Sequence, residues 1–129
     1  MDFVKAAHQR LIEEVIQKAK DDFRVVGIVL YGSALVRPDY HDIDLCIFPV
    51  NNCNVSELYT EYFDFSKEPI DIRIFNDLPF YIQNRVIKEG KIILQNDYDK
   101  MFNIFIATII KWNDFRKYCL IILERFFFL

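Results

Sequence analysis

The chain has 129 residues, of which 53% are hydrophobic and 27% are charged, and it carries a formal net charge of −3. This length is enough for one compact domain, residues 1–129, and is too short for two ordinary ones. The acidic balance disfavours strong nonspecific binding to long nucleic acid, which needs many phosphate-neutralising Lys and Arg side chains. It favours a small phosphorylated ligand or a protein partner.

The cysteine content and the hydropathy pattern favour a cytoplasmic protein with reduced thiols. Cys46, Cys53 and Cys119 are an odd number without CxxC spacing, which argues against a disulfide framework and against a zinc site. The N-terminus has mixed charge, unlike a secretory signal. The longest uncharged stretch, residues 101–110, is well short of the roughly 20 apolar residues that span a bilayer, so no transmembrane helix is expected.

The first predicted elements are one helix and two strands. Apolar residues recur at spacings of three and four from Asp2 to about Phe23, which predicts a helix with one buried face that includes Phe23. Residues 25–30 are a β-branched apolar run that predicts a buried strand ending in a tight turn. Residues 42–48 alternate with a period of two and predict the next strand.

The remaining chain predicts a third strand, a fourth strand and four helices. Residues 55–63 predict a short helix capped by Asn54 or Ser56, and residues 70–75 predict an alternating strand. A helix is expected from Pro79 to about residue 89, with Gly90 as its stop before a strand at residues 92–94. Beyond about residue 97, two helices are expected, at residues 98–112 and 114–128.

The residues with the clearest chemical pattern follow the first strand. Gly32 permits a sharp turn and a close approach of backbone to phosphate, and Ser33 offers an amide and a hydroxyl to phosphate oxygens. Asp42 and Asp44, two apart on a strand, point to the same side. With Asp71 on a neighbouring strand, they would supply three carboxylates for a two-metal site that promotes in-line attack on a phosphoryl group.

These motifs resemble a known family. Tyr31-Gly32-Ser33, followed by Asp42-Ile43-Asp44-Leu45 and then Asp71-Ile72, is similar to the minimal nucleotidyltransferases of the DNA polymerase beta-like superfamily. The resemblance covers residues 25–96 and includes the stretch Arg85-Val-Ile-Lys-Glu-Gly-Lys-Ile-Ile-Leu. It implies an α+β fold, which is an α/β mixed sheet with helices packed on one face. The core of this fold would lie at about residues 25–96, and a C-terminal helical extension would follow at about residues 97–129.

The resemblance also implies roles for individual residues. Gly32 and Ser33 would bind the triphosphate of ATP or another NTP. Asp42 and Asp44 would coordinate Mg²⁺. Asp71 would assist the incoming hydroxyl and would complete a site for two Mg²⁺ ions. The chain departs from the family pattern in a short loop between Ser33 and Asp42, where Ala34-Leu35 replaces an Arg followed by small residues and a second Gly.

Two arginines gain importance from this departure. Arg37 would bind the triphosphate from the shortened loop. Arg73 lies on the same strand face as Asp71, where it would either form a salt bridge that competes with metal or reach the triphosphate.

Other conspicuous residues have simpler interpretations. His41 is expected to be a solvated turn residue, and Cys46 a buried packing residue. The aromatic C-terminus, with Trp112, Phe115 and Tyr118, would pack on the sheet or the first helix, or would form a homodimer or heteromer interface.

Three functions remain open. The first is transfer of an NMP, most simply AMP from ATP, to a hydroxyl acceptor; since minimal members of the family are often paired with a HEPN-type protein, the acceptor could lie on such a partner. The second is a non-catalytic, antitoxin-like binding module that neutralises a HEPN-type partner by contact. The third is a helical interaction protein in which the Asp-x-Asp motif is incidental.

Overall fold

The computed structural model describes residues 3–127. Short 3₁₀ turns at Ser33–Leu35, Phe63–Phe65 and Phe75–Asp77 connect the longer elements. The helices and strands are, in chain order, α1 (Ala6–Lys20), β1 (Val25–Tyr31), β2 (Ile43–Pro49), α2 (Val55–Tyr62), β3 (Ile70–Ile74), α3 (Phe80–Glu89), β4 (Lys91–Gln95) and α4 (Tyr98–Phe127).

The four strands form one mixed sheet in the order β3-β2-β1-β4. β1 is antiparallel to both β2 and β4, whereas β2 and β3 are parallel. A parallel pair needs a crossover connection, and α2 supplies it between β2 and β3. The mixed sheet confirms the predicted α+β class and excludes a purely helical interaction protein.

Helices cover both faces of the sheet, so the expectation that they pack on one face is wrong. On one face, Ile12 and Val15 of α1 and Leu58 of α2 pack with the strand residues that face them. On the other face, Val86 of α3 and Met101 of α4 form a second core cluster with residues of β1 and β2. The reason is that β1 and β2 are apolar on both sides, and a strand of this kind must be covered on both.

The ends of the first helix differ from the prediction. α1 begins at Ala6, and Asp2 lies outside the described residues. The helix ends at Lys20, so Phe23 leaves the helical periodicity and is 89% exposed rather than buried. At the start of α2 the structure selects between two candidate caps, because the Asn54 side chain accepts a hydrogen bond from the Glu57 amide at 3.1 Å.

The C-terminal region is one helix, not two. α4 runs through Asn113 without interruption for 30 residues. The predicted break at residue 113 fails because the stretch contains neither Gly nor Pro, and a single Asn costs a helix little. Residue 128, the last of the predicted second helix, and residue 129 lie outside the described residues. Within residues 3–127, no helix is both long enough and apolar enough to cross a membrane.

A polar network joins the end of α1, the start of β1 and α2. Asp22, whose side chain is 11% exposed, accepts hydrogen bonds from Arg24 Nε at 2.9 Å and Nη2 at 2.7 Å, and from the Tyr62 hydroxyl at 2.9 Å. Arg24 also pairs with Glu61 on α2. These bonds, chiefly those from Arg24, lower the pKa of Asp22 to about 2.

We predict that Asp22→Asn lowers the free energy of unfolding at pH 7 by about 1–2 kcal/mol, because the ionised carboxylate is more strongly bonded in the folded state. Since the folded pKa lies below the unfolded value, this contribution is complete above about pH 4 and is lost as the pH falls toward 2. Urea unfolding at several pH values measures it. The neighbouring exposed Asp21→Asn is the control; an equal effect of both substitutions would contradict the prediction.

Candidate nucleotide site

The turn after β1 is packed directly against a carboxylate. Tyr31, the last residue of β1, lies opposite Asp44 in the antiparallel register with β2. Gly32 follows with φ +87° and ψ −160°, a conformation that L side chains rarely adopt. A Cβ at position 32 would collide with the Asp44 carboxylate. Glycine is therefore favoured here by the backbone conformation, and a larger residue would in addition displace the Asp44 carboxylate.

The loop that follows is folded tightly and is held by a residue that the sequence did not single out. Leu35 and Arg37 donate backbone hydrogen bonds to the carbonyls of Gly32 and Ser33 at 3.2 and 3.1 Å. Near its end, the buried Tyr40 accepts a bond from the Lys5 amide at 2.9 Å and contacts His8 Nδ1 at 2.7 Å through its hydroxyl. The loop is thus attached to the N-terminal segment, but no local sequence signal identifies a contact across 35 positions.

The family departure at residues 34 and 35 has a packing explanation. Ala34 is fully buried and belongs to the core cluster beneath the sheet, and Leu35 packs partly against it. A long charged side chain would not fit the buried position. Arg37 lies outside this packing, with its side chain 62% exposed and its Nε 4.0 Å from Asp39 Oδ1. It is accessible to a ligand, although its predicted role in triphosphate binding stays a prediction.

The sheet register brings two of the three predicted carboxylates together. Asp44 of β2 and Asp71 of β3 are directly paired across parallel strands, and both are half-buried. Adjacent strands lie about 4.8 Å apart, so the two side chains on one face are neighbours. Asp42 lies one residue before β2, is exposed and is two positions from Asp44.

The pKa of Asp44 is raised by its surroundings. Burial, followed by the neighbouring Asp71 and Asp42 carboxylates, raises the pKa of Asp44 to about 6, against an opposing effect of Arg73. Burial likewise raises the pKa of the neighbouring Tyr31 above its usual value, so its phenol is neutral near pH 7. The site therefore has an excess of negative charge that a cation would relieve.

The donor chemistry fits Mg²⁺, which prefers carboxylate oxygens and substrate phosphates. As described for residues 3–127, no three His, Cys, Asp or Glu side chains are already arranged around a common metal position. Arg73 Nε instead contacts Asp71 Oδ2 at 3.3 Å. The Arg73 side chain is 54% exposed, and an ion pair this accessible is weak enough to be exchanged for another partner.

The simpler interpretations of two other residues are confirmed. His41 is exposed in the loop. Cys46 is fully buried, and burial raises the pKa of its thiol well above the usual value, which suits a packing residue and not a nucleophile.

Comparison with known proteins identifies the family. The model of the family described as "Polymerase beta, Nucleotidyltransferase" matches residues 13–99. The chain belongs to this family. A nucleotidyltransferase relative in Methanocaldococcus jannaschii, named "Putative protein adenylyltransferase MJ1547", is 32% identical over 97 residues, which cover 73% of this chain and 75% of the relative. The class of activity is therefore nucleotidyl transfer.

Solved structures confirm the nucleotidyltransferase fold. One is of a tri-AMPylated Shewanella oneidensis HEPN toxin in complex with an MNT antitoxin; the matching chain has a TM-score of 0.60 and 16% identity, with 91% of this chain and 96% of that chain covered. A second is of a toxin–antitoxin with AMP-PNP, with a TM-score of 0.63, 15% identity, and coverage of 91% and 96%. At these identities the likeness concerns the fold.

We predict that Asp44→Asn stabilises the metal-free nucleotidyltransferase. The folded pKa of Asp44 lies above its unfolded value, so the protein loses stability as the pH rises from about 4 through 6, and an amide avoids this loss. At pH 7.5 the Tm should rise by roughly 2–6 °C, with a smaller difference near pH 4. Scanning calorimetry in EDTA measures this. An unchanged or lower Tm, with the exposed Asp64→Asn as control, would contradict it.

We also predict that Gly32→Ala destabilises the fold by about 1–3 kcal/mol, because of its backbone conformation and the collision with Asp44. Adding Asp44→Ala should recover part of this loss, since it removes the colliding carboxylate. Denaturant unfolding of the two single variants and the double variant separates the two causes. Strict additivity would show that the collision contributes nothing.

Proposed function

We propose that the chain transfers AMP from ATP to a hydroxyl group on a HEPN-type partner protein. The observation that carries this proposal is the register that sets Asp44 beside Asp71, with Gly32 packed against Asp44. The M. jannaschii relative is named as a protein adenylyltransferase, and one structural neighbour is a complex that contains an AMPylated HEPN toxin. Both support a protein acceptor over a nucleic acid, as does the acidic net charge of −3.

In the proposed reaction, the acceptor oxygen forms a bond to the α-phosphorus of ATP. The bond from that phosphorus to the oxygen bridging to the β-phosphorus breaks, and pyrophosphate leaves. Asp71 accepts the proton of the attacking hydroxyl or orients that hydroxyl toward phosphorus. Holding acceptor and phosphorus in line removes much of the entropic part of the barrier.

The turn after β1 and two arginines would bind the triphosphate. The backbone at Gly32 allows phosphate oxygens to approach closely, and Ser33 offers its amide and hydroxyl. Arg37 and Arg73, both more than half exposed, would reach the outer phosphates. Mg²⁺, held by Asp42, Asp44 and Asp71, would supply charge neutralisation of the triphosphate and polarisation of the attacking oxygen when bound.

The reaction would take place in the cytoplasm, where ATP is present and thiols remain reduced. Cys46, Cys53 and Cys119 are all free. Free thiols of this kind support the proposed location in a reducing compartment.

A second candidate is a non-catalytic module that neutralises its partner by contact. The observation that favours it is the Arg73–Asp71 ion pair, which occupies a carboxylate that catalysis requires. In this case Mg²⁺-dependent binding of ATP would be lost while the partner surface would be kept.

Incubation with α-phosphate-labelled ATP and Mg²⁺ tests the proposal. The wild-type chain is used alone, with a co-purified HEPN-type partner and with host lysate, beside Asp42→Ala/Asp44→Ala. We expect labelled protein with the wild type and a loss of label by at least about a hundredfold in the double variant, because carboxylates that hold charge at the transition state contribute several kcal/mol.

The matched control is Asp64→Ala/Asp77→Ala, which removes two exposed carboxylates that are not candidate site residues and should keep full labelling. Label that persists in Asp42→Ala/Asp44→Ala would remove these residues from the mechanism. Absence of label together with absence of Mg²⁺-dependent ATP binding in calorimetry would favour the non-catalytic module.

A further inference from the structure

One apolar stripe runs along the whole of α4. Its members repeat at alternating spacings of four and three residues, which is the heptad pattern of helices that pack side by side at a shallow angle. The stripe consists of Met101, Phe105, Thr108, Trp112, Phe115, Cys119, Ile122 and Phe126.

The first half of the stripe is an intramolecular interface. Met101 and Thr108 are buried, and the Phe105 ring lies 5.5 Å from that of Phe48 on the sheet. Trp112 packs against Phe80 of α3 with ring centroids 5.6 Å apart. The regular spacing is thus a pattern that this protein already uses to pack α4 on its own body.

The second half continues in the same register with less of that cover. Phe115 still touches Phe80 but is 50% exposed, Cys119 is partly buried, Ile122 is 53% exposed and Phe126 is 73% exposed. The neighbouring positions 120–123 are four consecutive aliphatic residues, each between 43% and 58% exposed. A helix surface this apolar normally lies against another element. We call Phe115, Cys119, Ile122 and Phe126 the distal stripe.

The charged residues beside the distal stripe have one sign. In the heptad frame, Arg116 and Arg125 occupy positions that flank the distal stripe, and both are exposed. Lys111 occupies the equivalent position beside Trp112, and its Nζ lies 5.5 Å from the centre of the Phe80 ring. The acidic residues of the same stretch, Asp114 and Glu124, fall on outward positions. In paired helices, flanking positions of opposite charge form ion pairs across the interface and set partner choice.

We propose that the distal stripe binds an amphipathic helix of another protein, one whose apolar stripe is flanked by Glu or Asp. A second copy of this chain fits less well, because it would bring no acidic side chain to the flanking positions. The proposal is independent of nucleotidyl transfer, since none of its residues belongs to the nucleotide site.

The probe is a fluorescent 28-residue helical peptide with Leu at the heptad core positions and Glu at both flanking positions, and the comparison peptide has Lys in place of Glu. Fluorescence anisotropy with the intact chain at about 50 mM salt measures affinity, because flank ion pairs are screened at higher salt. We expect the Glu peptide to bind at least about tenfold more tightly than the Lys peptide. A scrambled peptide of the same Glu composition should not bind.

Neighbouring charge reversals provide the matched control. Arg116→Glu places a charge beside the stripe, whereas Lys117→Glu makes the same change one residue later on an outward position. We expect Arg116→Glu to weaken binding of the Glu peptide by about fivefold and Lys117→Glu to change it little. Ile122→Ser, at an exposed position that leaves the intramolecular core intact, should abolish binding.

Three outcomes would overturn the proposal. Equal binding of the Glu and Lys peptides would remove the charge selection, and equal effects of Arg116→Glu and Lys117→Glu would remove the predicted orientation of the helix. The third outcome is a stable dimer of the wild-type chain in sedimentation equilibrium. If Ile122→Ser abolished this dimer and the dimer bound neither peptide, the distal stripe would be assigned to a second copy.

Discussion

The parallel pairing of β2 with β3 places Asp44 beside Asp71, and the rest of the candidate site is arranged around these two carboxylates. The raised pKa of Asp44 reflects its burial first and then the repulsion between neighbouring like charges. The sheet can keep them there because three of the other four β2–β3 pairs are aliphatic: Ile43 with Ile70, Leu45 with Ile72 and Ile47 with Ile74. Ile43, Leu45 and Ile47 alternate with the site residues on β2 and are fully buried.

The Asp44 carboxylate restricts which residue types can stand at the neighbouring positions. Gly32 must lack a side chain so that the turn after β1 can lie against the carboxylate. Arg73 offsets part of the negative charge while no cation is bound, and its exposure lets it exchange partners. A site that is repulsive in the absence of its ligand is stabilised when a ligand of opposite charge binds, which links nucleotide or metal binding to the stability of this region.

A second constraint concerns the sheet face that carries Asp44, where Cys46 and Phe48 of β2 pack with α3 and α4. Because β1 and β2 are apolar on both faces, α3 and α4 must cover the face that α1 and α2 leave open. α4 is about twice as long as that task requires, at roughly 45 Å for its 30 residues. Its stripe therefore extends past the body that buries it. The nucleotide site and the distal stripe involve separate residues, and each can be altered without the other.

The sequence by itself determined the four strands, the first three helices and the candidate site residues. Period-two alternation located β2 and β3, and the order of Gly32-Ser33, Asp42, Asp44 and Asp71 indicated the nucleotidyltransferase family that comparison then confirmed. These features are local, since periodicity and short motifs depend on neighbours along the chain.

The same local information could not place α3 on the sheet face opposite α1 and α2, reveal the attachment of Tyr40 to Lys5 and His8, or show that Phe23 is exposed. Nor could it show that α4 continues through Asn113 or that half of its stripe is uncovered. The place of α3, the attachment of Tyr40 and the exposure of the second half of the stripe depend on contacts between distant segments, and only the tertiary structure decides which apolar surfaces meet and which remain exposed to solvent.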